Sequence, residues 1–233
     1  MKKWLIKKIR LFYARVSRNL YEEVHADRVL SFLSPLFVGW TYLPITDWAA
    51  GPEYYAHICN DIVINRKKMV VETGSGISTI LLARLIKKNN LNTKIVSIDH
   101  DAVWQNIVAQ NLEADGIDDI VEFKHCPLVQ REGVSWYDTE SIVFPENFVV
   151  DTVVVDGPIG NVPMARLGAV PFLKQYLSPE CYTIYLHDTD REEEQRIVSI
   201  WAESLPSAEI KWYPRYAIFQ FGTAFCFSPQ SQT

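Results

Sequence analysis

Acidic side chains stand at the ends of two apolar segments of the chain, at positions suited to proton transfer or cation binding. Asp156 ends the run VVVD, and His187 and Asp188 end the run YTIYLHD. In an open α/β sheet, the carboxyl ends of parallel strands meet at one ligand crevice. Carboxylates gathered there can act as a general base or hold a divalent cation through oxygen ligands. We therefore predict Asp156, His187 and Asp188 as catalytic residues, and Asp156 and Asp188 as candidate metal ligands.

A glycine-containing turn lies earlier in the chain, between an apolar run and a helix-forming segment. It reads Glu72-Thr-Gly74-Ser-Gly76, with Ser78 and Thr79 as alternative caps of the helix. Glycine permits positive φ and a close approach of ligand to backbone, and a helix start offers free N–H groups. A dinucleotide fingerprint would need a third glycine where Thr79 stands. The turn therefore predicts a cofactor-binding loop but argues against pyrophosphate as its ligand.

Asp99 ends the next apolar run, KIVSID, 25 residues after Gly74. In doubly wound folds an acid at this point accepts hydrogen bonds from a ribose diol. We predict that role for Asp99, the alternative being a solvated or turn-forming acid. Asp101 has the position of an N-cap for the following helix, and Asp190 has the same position and a capping-box spacing to Glu193.

The elements that would position these residues alternate along the chain from residue 53 onward. Helices are predicted over 53–65, 78–88, 102–114, 164–176 and 191–204, and strands over 68–72, 94–99, 120–124, 148–155, 182–186, 208–213 and 216–227. Trp136 falls in a predicted loop. Near-continuous apolar strands separated by helices indicate a parallel sheet covered on both faces. The pattern therefore predicts an α/β, doubly wound, mostly parallel fold in a single domain over residues 53–233.

The charge distribution divides the 233-residue chain into two parts. Residues 1–20 carry seven Lys and Arg and no acid, so a net charge of −5 becomes +7 for this tail and −12 for the remainder. The tail has the period of a basic amphipathic helix. Two alternatives stay open: the helix docks on the body or a second subunit, as in a homo-oligomer, or it lies peripherally on an anionic membrane surface.

Composition excludes several classes of protein. The acidic body argues against nucleic acid as a partner, because phosphate binding needs clustered cations. No apolar run reaches the roughly 20 residues that span a bilayer. The four cysteines lack metal-ligand spacing and predict a reducing compartment. We expect a cytoplasmic protein, at the inner face of the membrane in the lipid-bound alternative.

Aromatic residues crowd the segment between the tail and the predicted domain. Residues 21–52 contain Trp40, Tyr42 and Trp48 among prolines and glycines, which excludes a regular amphipathic helix. They predict an irregular N-terminal cap. It either packs on the domain or lines a cleft that suits sugars and planar ligands.

Several of these segments together resemble a known family. VVETGSGISTILLA, VSIDHD and VVVDGPIG look like three motifs of the class I S-adenosylmethionine-dependent methyltransferases. VDGPIGNVPMARLGAV and TIYLHDTDREEEQ resemble the plant glucuronoxylan 4-O-methyltransferase group and, more distantly, the cation-dependent catechol-type O-methyltransferases. The resemblance implies a seven-stranded, Rossmann-like sheet with an antiparallel C-terminal strand and an N-terminal helical extension.

The resemblance also implies roles for individual residues. Those assigned to binding of the S-adenosyl-L-methionine cofactor are Glu72, Gly74, Ser75, Gly76, Ser78, Asp99 and His100. Arg166 matches a basic position that could pair with an acceptor carboxylate, the alternative being a solvated helix residue. The catechol-type pattern has Asn where this chain has Thr189 and a Lys base where it has Ile159. A divalent cation is therefore an open question.

The predicted function is an O-methyltransferase acting on a sugar, a glycan or another small hydroxyl acceptor. Two alternatives stay open. One is a nicotinamide-dependent oxidoreductase on the same kind of sheet, and the other is a non-catalytic, membrane-associated scaffold that keeps the fold.

Overall fold

A computed structural model of the chain describes residues 26–131, 134–159 and 164–229. Its strands are β1 Met69–Thr73, β2 Lys94–Asp99, β3 Val121–His125, β4 Leu128–Arg131, β5 Val134–Tyr137, β6 Thr152–Val155, β7 Tyr182–His187, β8 Glu209–Trp212 and β9 Tyr216–Phe221. Its named α-helices are α1 Pro52–Ile64, α2 Ile77–Lys88, α3 Ala102–Asp115, α4 Ala169–Leu173 and α5 Glu192–Ser204. Residues 26–33 are also helical. The predicted tail, residues 1–20, lies outside the described residues.

Seven strands form one sheet in the order β3-β2-β1-β6-β7-β9-β8. The first five are parallel, and β9 runs antiparallel to both β7 and β8. The chain reverses its direction of travel across the sheet between β1 and β6, so the carboxyl ends of β1, β2, β6 and β7 surround one switch point. The predicted α/β fold, with its antiparallel C-terminal strand, is confirmed.

Alternate side chains of the strands enter two separate cores, one on each face of the sheet. Val70, Ile95 and Val154 pack with α1, α2 and α3 on one face. Val71 and Val153 pack with α4 and α5 on the other, around the buried ring of Trp201. Burial on both faces explains why the strands are almost entirely apolar.

The segment before α1 packs on the domain, and one buried arginine ties it there. The guanidinium of Arg84 in α2 donates to the carbonyl oxygens of Leu36 and Thr41 at 3.0 and 2.9 Å. It also pairs with Asp115 at 2.8 Å and lies under the ring of Trp40. Leu33, Leu36 and Leu43 join the same core as the helices. The described part of residues 21–52 therefore packs on the domain through these residues, and Thr46 and Trp48 of the same segment line a pocket, so the two alternatives do not exclude each other.

Four predicted elements differ from the structure, and one of them, the strand predicted over 216–227, already ends at Phe221, where Gly222 follows with φ +80°. The helix predicted over 164–176 is reduced to α4 and a 3₁₀ turn at Lys174–Tyr176, because residues 164–168 form turns that begin with Met164 at φ +59°. The strand predicted over 148–155 begins only at Thr152, since Asp151 uses its carboxylate to accept from the N–H groups of Lys68 and Met69. The predicted loop around Trp136 contains the antiparallel pair β4–β5.

All four cysteines are free, with Cys59 and Cys126 buried. Across the described part of the chain, no helix combines the length and apolar character needed to cross a bilayer.

Candidate active site

A pocket of about 400 Å³ opens at the carboxyl ends of β1, β2, β6 and β7. This volume is in the range of small-molecule and cofactor sites. Its lining residues come from the glycine turn, the ends of the strands, the N-terminal segment and β5, and include Thr46, Trp48, Tyr55, Gly74, Ser75, Gly76, Ser78, Asp99, His100, Trp104, Tyr137, Asp156, Gly157, Arg166, Asp188 and Arg191. Nine of the predicted site residues thus line one cavity, whereas Glu72 and His187 are not among its lining residues.

The two glycines of the turn serve different purposes. Gly74 has φ +94°, and a Cβ atom there would lie 2.7 Å from the backbone nitrogen of Gly157. The ends of β1 and β6 therefore touch backbone to backbone. At Gly76 a Cβ atom would meet nothing nearer than the indole nitrogen of Trp104 at 4.0 Å. Gly74 is required by packing and conformation, whereas Gly76 leaves space on the pocket side.

Glu72 lies beneath the turn and is fully buried. Its Oε2 accepts hydrogen bonds from the hydroxyls of Thr79 and Ser97, and the Thr79 hydroxyl oxygen accepts the N–H of Gly76. Oε1 has no partner among the described residues. The carboxylate thus braces the turn from below and does not line the pocket, and the cofactor-binding role of Glu72 stays a prediction.

Burial raises the pKa of Glu72 to about 7, against the opposing effect of hydrogen bonds from Ser78, Thr79 and Ser97. The folded-state pKa lies above the ordinary 4.5, so ionisation costs the folded protein free energy. That penalty is absent below pH 4.5, grows as pH rises to 7 and is constant above it.

We expect Glu72→Gln to stabilise the protein in a pH-dependent manner. The free energy of unfolding should match wild type near pH 4.5 and exceed it by about 3 kcal/mol at pH 8. Urea unfolding at several pH values measures this difference. Glu192→Gln, at an exposed glutamate, is the control and should show no such trend. A constant difference between Glu72→Gln and wild type across this range would contradict the assignment.

Asp99 stands at the end of β2 and faces the pocket. Its carboxylate accepts the N–H of Ser75 at 2.7 Å and the N–H of Asp101 at 2.8 Å. Burial raises the pKa of Asp99, although these hydrogen bonds oppose the rise. His100 places Nδ1 3.2 Å from the same carboxylate. The turn and the end of β2 are thus locked together, with Asp99 between them.

Asp101 caps α3 through hydrogen bonds from the N–H groups of Val103 and Trp104, as predicted. The capping role predicted for Asp190 is wrong. Arg191 is the N-cap residue of α5, and no side chain caps that helix. The carboxylate of Asp190 instead lies 3.8 Å from Nε of Arg215.

Asp156, His187 and Asp188 come together at the ends of β6 and β7. Nδ1 of His187 lies 3.0 Å from Oδ1 of Asp156 and 3.3 Å from Oδ1 of Asp188. Asp188 has φ +60°, an uncommon conformation for a non-glycine residue that is often found at functional sites. Asp156 is the most accessible of the three, with 20% of its side chain exposed, against 4% for His187.

Arginines surround this group of acids. Arg166, 4% exposed, donates from Nη2 to Asp156 and Asp188 and from Nη1 to the carbonyl oxygen of His187. Arg215 and Arg191 reach Asp188 from the rim at 2.8 and 3.0 Å. Burial works against ionisation of Asp188, but the charges of His187, Arg166 and Arg191 lower its pKa below the ordinary value.

The alternative of Arg166 as a solvated helix residue is wrong, since it is buried in a turn. Its predicted role toward an acceptor stays a prediction.

The geometry of the same cluster shows whether its side chains could bind a divalent cation. The ligand atoms of Asp156, His187 and Asp188 lie within 4.8 Å of one another, close enough to share an ion. Nη2 of Arg166 already lies 3.3 Å from one carboxylate and 3.0 Å from the other. Both oxygens of Asp188 are held by arginines. As folded, this donor set does not fit a cation.

Some pocket residues were not predicted. Tyr137 comes from β5, inside the predicted loop, and its hydroxyl oxygen lies 2.6 Å from where a Cβ atom on Gly157 would stand. Trp104 in α3 donates its indole N–H to the carbonyl oxygen of Ser75 at 2.7 Å. Only Arg191 carried a sequence signal, because it belongs to the motif HDTDREEE.

The strand order, the glycine turn and the acids around one pocket define a cofactor-binding α/β enzyme of the methyltransferase fold. Residues 71–189, about half of the chain, match the family model described as "Methyltransferase domain". The chain belongs to this family, which confirms the predicted enzyme class. The finer resemblance to the plant glucuronoxylan group stays a prediction.

Solved structures share the fold at low sequence identity. An SAH-bound methyltransferase from Podospora anserina, PaMTH1, has a TM-score of 0.56 at 14% identity and covers 86% of this chain and 97% of its own. An O-methyltransferase from Bacillus cereus in complex with SAH has a TM-score of 0.55 at 14% identity, covering 85% and 90%. The O-methyltransferase TomG from Streptomyces achromogenes, in complex with SAM, has a TM-score of 0.53 at 16% identity, covering 84% and 90%. No curated protein matches the sequence at a significant level.

Proposed function

We propose that the protein is an S-adenosyl-L-methionine-dependent O-methyltransferase acting on a hydroxyl of a small-molecule, sugar or glycan acceptor. The observation that carries this proposal is the placement of Asp156. Its Oδ1 is held by Arg166 and His187, and no donor among the described residues bonds its Oδ2. This carboxylate lines the same pocket as Gly74, Gly76 and Asp99. Asp156 is therefore a base with Oδ1 held in place and Oδ2 available, and it lies beside the predicted cofactor-binding turn.

The residues on the cofactor side fit S-adenosylmethionine. Gly76 leaves unfilled space on the pocket side of the turn, Ser75 and Ser78 line the wall, and Asp99 is available to a ribose diol. Solved structures that share the fold include SAM-bound and SAH-bound proteins. Thr79 stands where a dinucleotide fingerprint has glycine, and its hydroxyl is engaged with Glu72. This engagement favours S-adenosylmethionine over the nicotinamide alternative.

The cofactor, when bound, supplies an activated sulfonium methyl group. The protein then has to orient the acceptor hydroxyl and remove its proton. Asp156 is the group that can take this proton through Oδ2. His187 is buried behind the wall and bonds Asp156 through Nδ1, so we assign it to positioning rather than to direct proton transfer. Asp188 is saturated by arginines and holds them in place.

Trp48 and Tyr55 also line the pocket, and we assign them to the acceptor side, where aromatic rings suit the faces of a sugar. Arg191 lines the pocket with 46% of its side chain exposed. A uronic acid acceptor would therefore meet Arg191 first, whereas Arg166 is already committed to protein oxygens. This division of roles refines the carboxylate-binding role predicted for Arg166.

Calorimetry tests the cofactor. We expect SAM and SAH to bind and NAD(H) not to bind. Asp99→Ala should weaken SAM binding by about tenfold to a hundredfold, the loss of one or two charge-assisted hydrogen bonds. Asp138→Ala, at an acid that does not line the pocket, is the control and should keep the wild-type dissociation constant. Binding of NAD(H) in preference to SAM would contradict the proposed function.

Residues 1–20 remain a proposed accessory element, and both alternatives for them stay predictions, as does a homo-oligomer. Exposed apolar side chains on the neighbouring segment, including Phe32, Tyr42 and Trp48, support peripheral contact with a membrane. In that alternative we expect full-length protein to co-sediment with anionic liposomes and a chain beginning at Tyr21 to stay in the supernatant. Equal partitioning of the two would favour docking on protein.

A further inference from the structure

We propose that the guanidinium of Arg166 occupies the place of a divalent cation between the two strand-end acids, so that this protein carries out methyl transfer without a metal. This inference rests on the proposed function and deepens it. The arrangement of Asp156, His187 and Asp188 resembles a metal site in spacing, but the space between the carboxylates already contains a permanent positive charge.

The contacts of one nitrogen carry the argument. Nη2 of Arg166 lies 3.3 Å from Oδ1 of Asp156, 2.8 Å from the carbonyl oxygen of Asp156 and 3.0 Å from Oδ2 of Asp188. An ion bridging the two acids would bind carboxylate oxygens at about 2.0–2.6 Å. An ion that used Oδ1 of Asp156 and Oδ2 of Asp188 would therefore compete with Nη2 for both oxygens. The guanidinium is 4% exposed and is held further by the carbonyl oxygen of His187, so an ion could enter only by breaking these contacts.

Charge balance leads to the same conclusion. Asp156, Asp188 and Glu194 supply three carboxylates around Arg166. Arg191 and Arg215 approach Asp188 from the rim, which gives three guanidinium groups, and the exposed Asp190 lies 3.8 Å from Arg215 at the edge of the cluster. A divalent cation placed between Asp156 and Asp188 would lie beside like charges in a largely buried site, where electrostatic energies are large. Cations are attracted to uncompensated carboxylates, and here the carboxylates are compensated.

Arg166 can supply part of what a metal would supply. It keeps a fixed positive charge beside Asp156 at every working pH, because its pKa is raised further by Asp156, Asp188 and Glu194 against the effect of burial. Its planar fork fixes the orientation of both acids. Unlike a metal, it has no coordination position for the acceptor hydroxyl. Proton removal therefore falls to Asp156 alone.

A titration with Mn²⁺ tests this inference. Full-length protein is first treated with a chelator and freed of it, and Mn²⁺ binding is then measured by electron paramagnetic resonance. We expect no stoichiometric binding by wild type. Arg166→Met removes the charge with little change in volume and leaves the acids uncompensated, so its affinity for Mn²⁺ should rise at least 100-fold. Arg166→Lys keeps the charge and should remain unable to bind the ion. Circular dichroism and SAH calorimetry of each variant show whether the fold and the cofactor site persist.

Stoichiometric Mn²⁺ binding by wild type that is lost in Asp188→Asn would overturn the inference. An unchanged affinity in folded Arg166→Met would also overturn it, since Arg166 would then not be what excludes the ion. If Arg166→Met does not fold, the wild-type titration decides. Failure of wild type to bind SAH would remove the proposed function but leave the metal measurement interpretable, so the two failures are distinguishable.

Discussion

Replacing Asp156 with asparagine is expected to lower kcat for methyl transfer by about 1000-fold, the typical contribution of a general base. The amide has the shape of the carboxylate but cannot accept the proton of the acceptor hydroxyl. SAH binding should stay within about twofold of wild type. The negative charge lost at Asp156 is paired mainly with arginine, and the glycine turn that we assign to the cofactor is unchanged. The measurements are single-turnover methyl transfer from labelled SAM and SAH calorimetry.

Asp190→Asn is the matched control for this substitution. Asp190 lies in the loop after β7, close to Asp188, but it does not line the pocket, and its one ion pair among the described residues is a long contact of 3.8 Å with Arg215. We expect its kcat to stay within about twofold of wild type, as for most surface substitutions. If Asp156→Asn retained more than a tenth of the wild-type kcat, Asp156 would not be the base.

Gly74→Ala is expected to destabilise the protein by about 3 kcal/mol or more, because strained backbone and overpacking add. The new methyl group would lie 2.7 Å from a backbone nitrogen at Gly157, at a φ of +94° that alanine rarely adopts. The backbones of Gly74 and Gly157 cannot easily move apart, since these residues follow β1 and β6, which pair in the sheet. In a chain of this length such a loss lowers Tm by about 10 °C, measurable by thermal unfolding without ligand.

Gly76→Ala separates packing from ligand binding. Its methyl group would meet no atom nearer than 4.0 Å, so we expect stability within about 1 kcal/mol of wild type. It would, however, occupy space that we assign to the cofactor, and SAM affinity should fall by about tenfold or more. The opposite pattern, a stable Gly74→Ala and an unstable Gly76→Ala, would show that the roles of the two glycines are exchanged.

The parts of the site that sequence could predict are those encoded locally. Gly74 and Asp156 stand directly after strands and Asp99 is the last residue of one, and strand ends of a parallel sheet share one edge. Arg166 and Tyr137 were harder to place, because their positions depend on contacts between residues far apart in the chain. Arg166 lies in turns where its periodicity suggested a helix, and burial among acids from β6 and β7 decides its environment. Tyr137 reaches the pocket only because β5 pairs with β4.

The amino-acid composition changes at the predicted boundary at residue 53. The contacts of Arg84 nevertheless join the residues on both sides of this boundary into one unfolding unit. Leu36, Thr41 and Asp115 bond the same guanidinium, so the segment before α1 cannot detach without exposing a buried charge. Residues 26–52 should therefore exchange their protected amide hydrogens together with the central strands, as one cooperative unit with the catalytic domain.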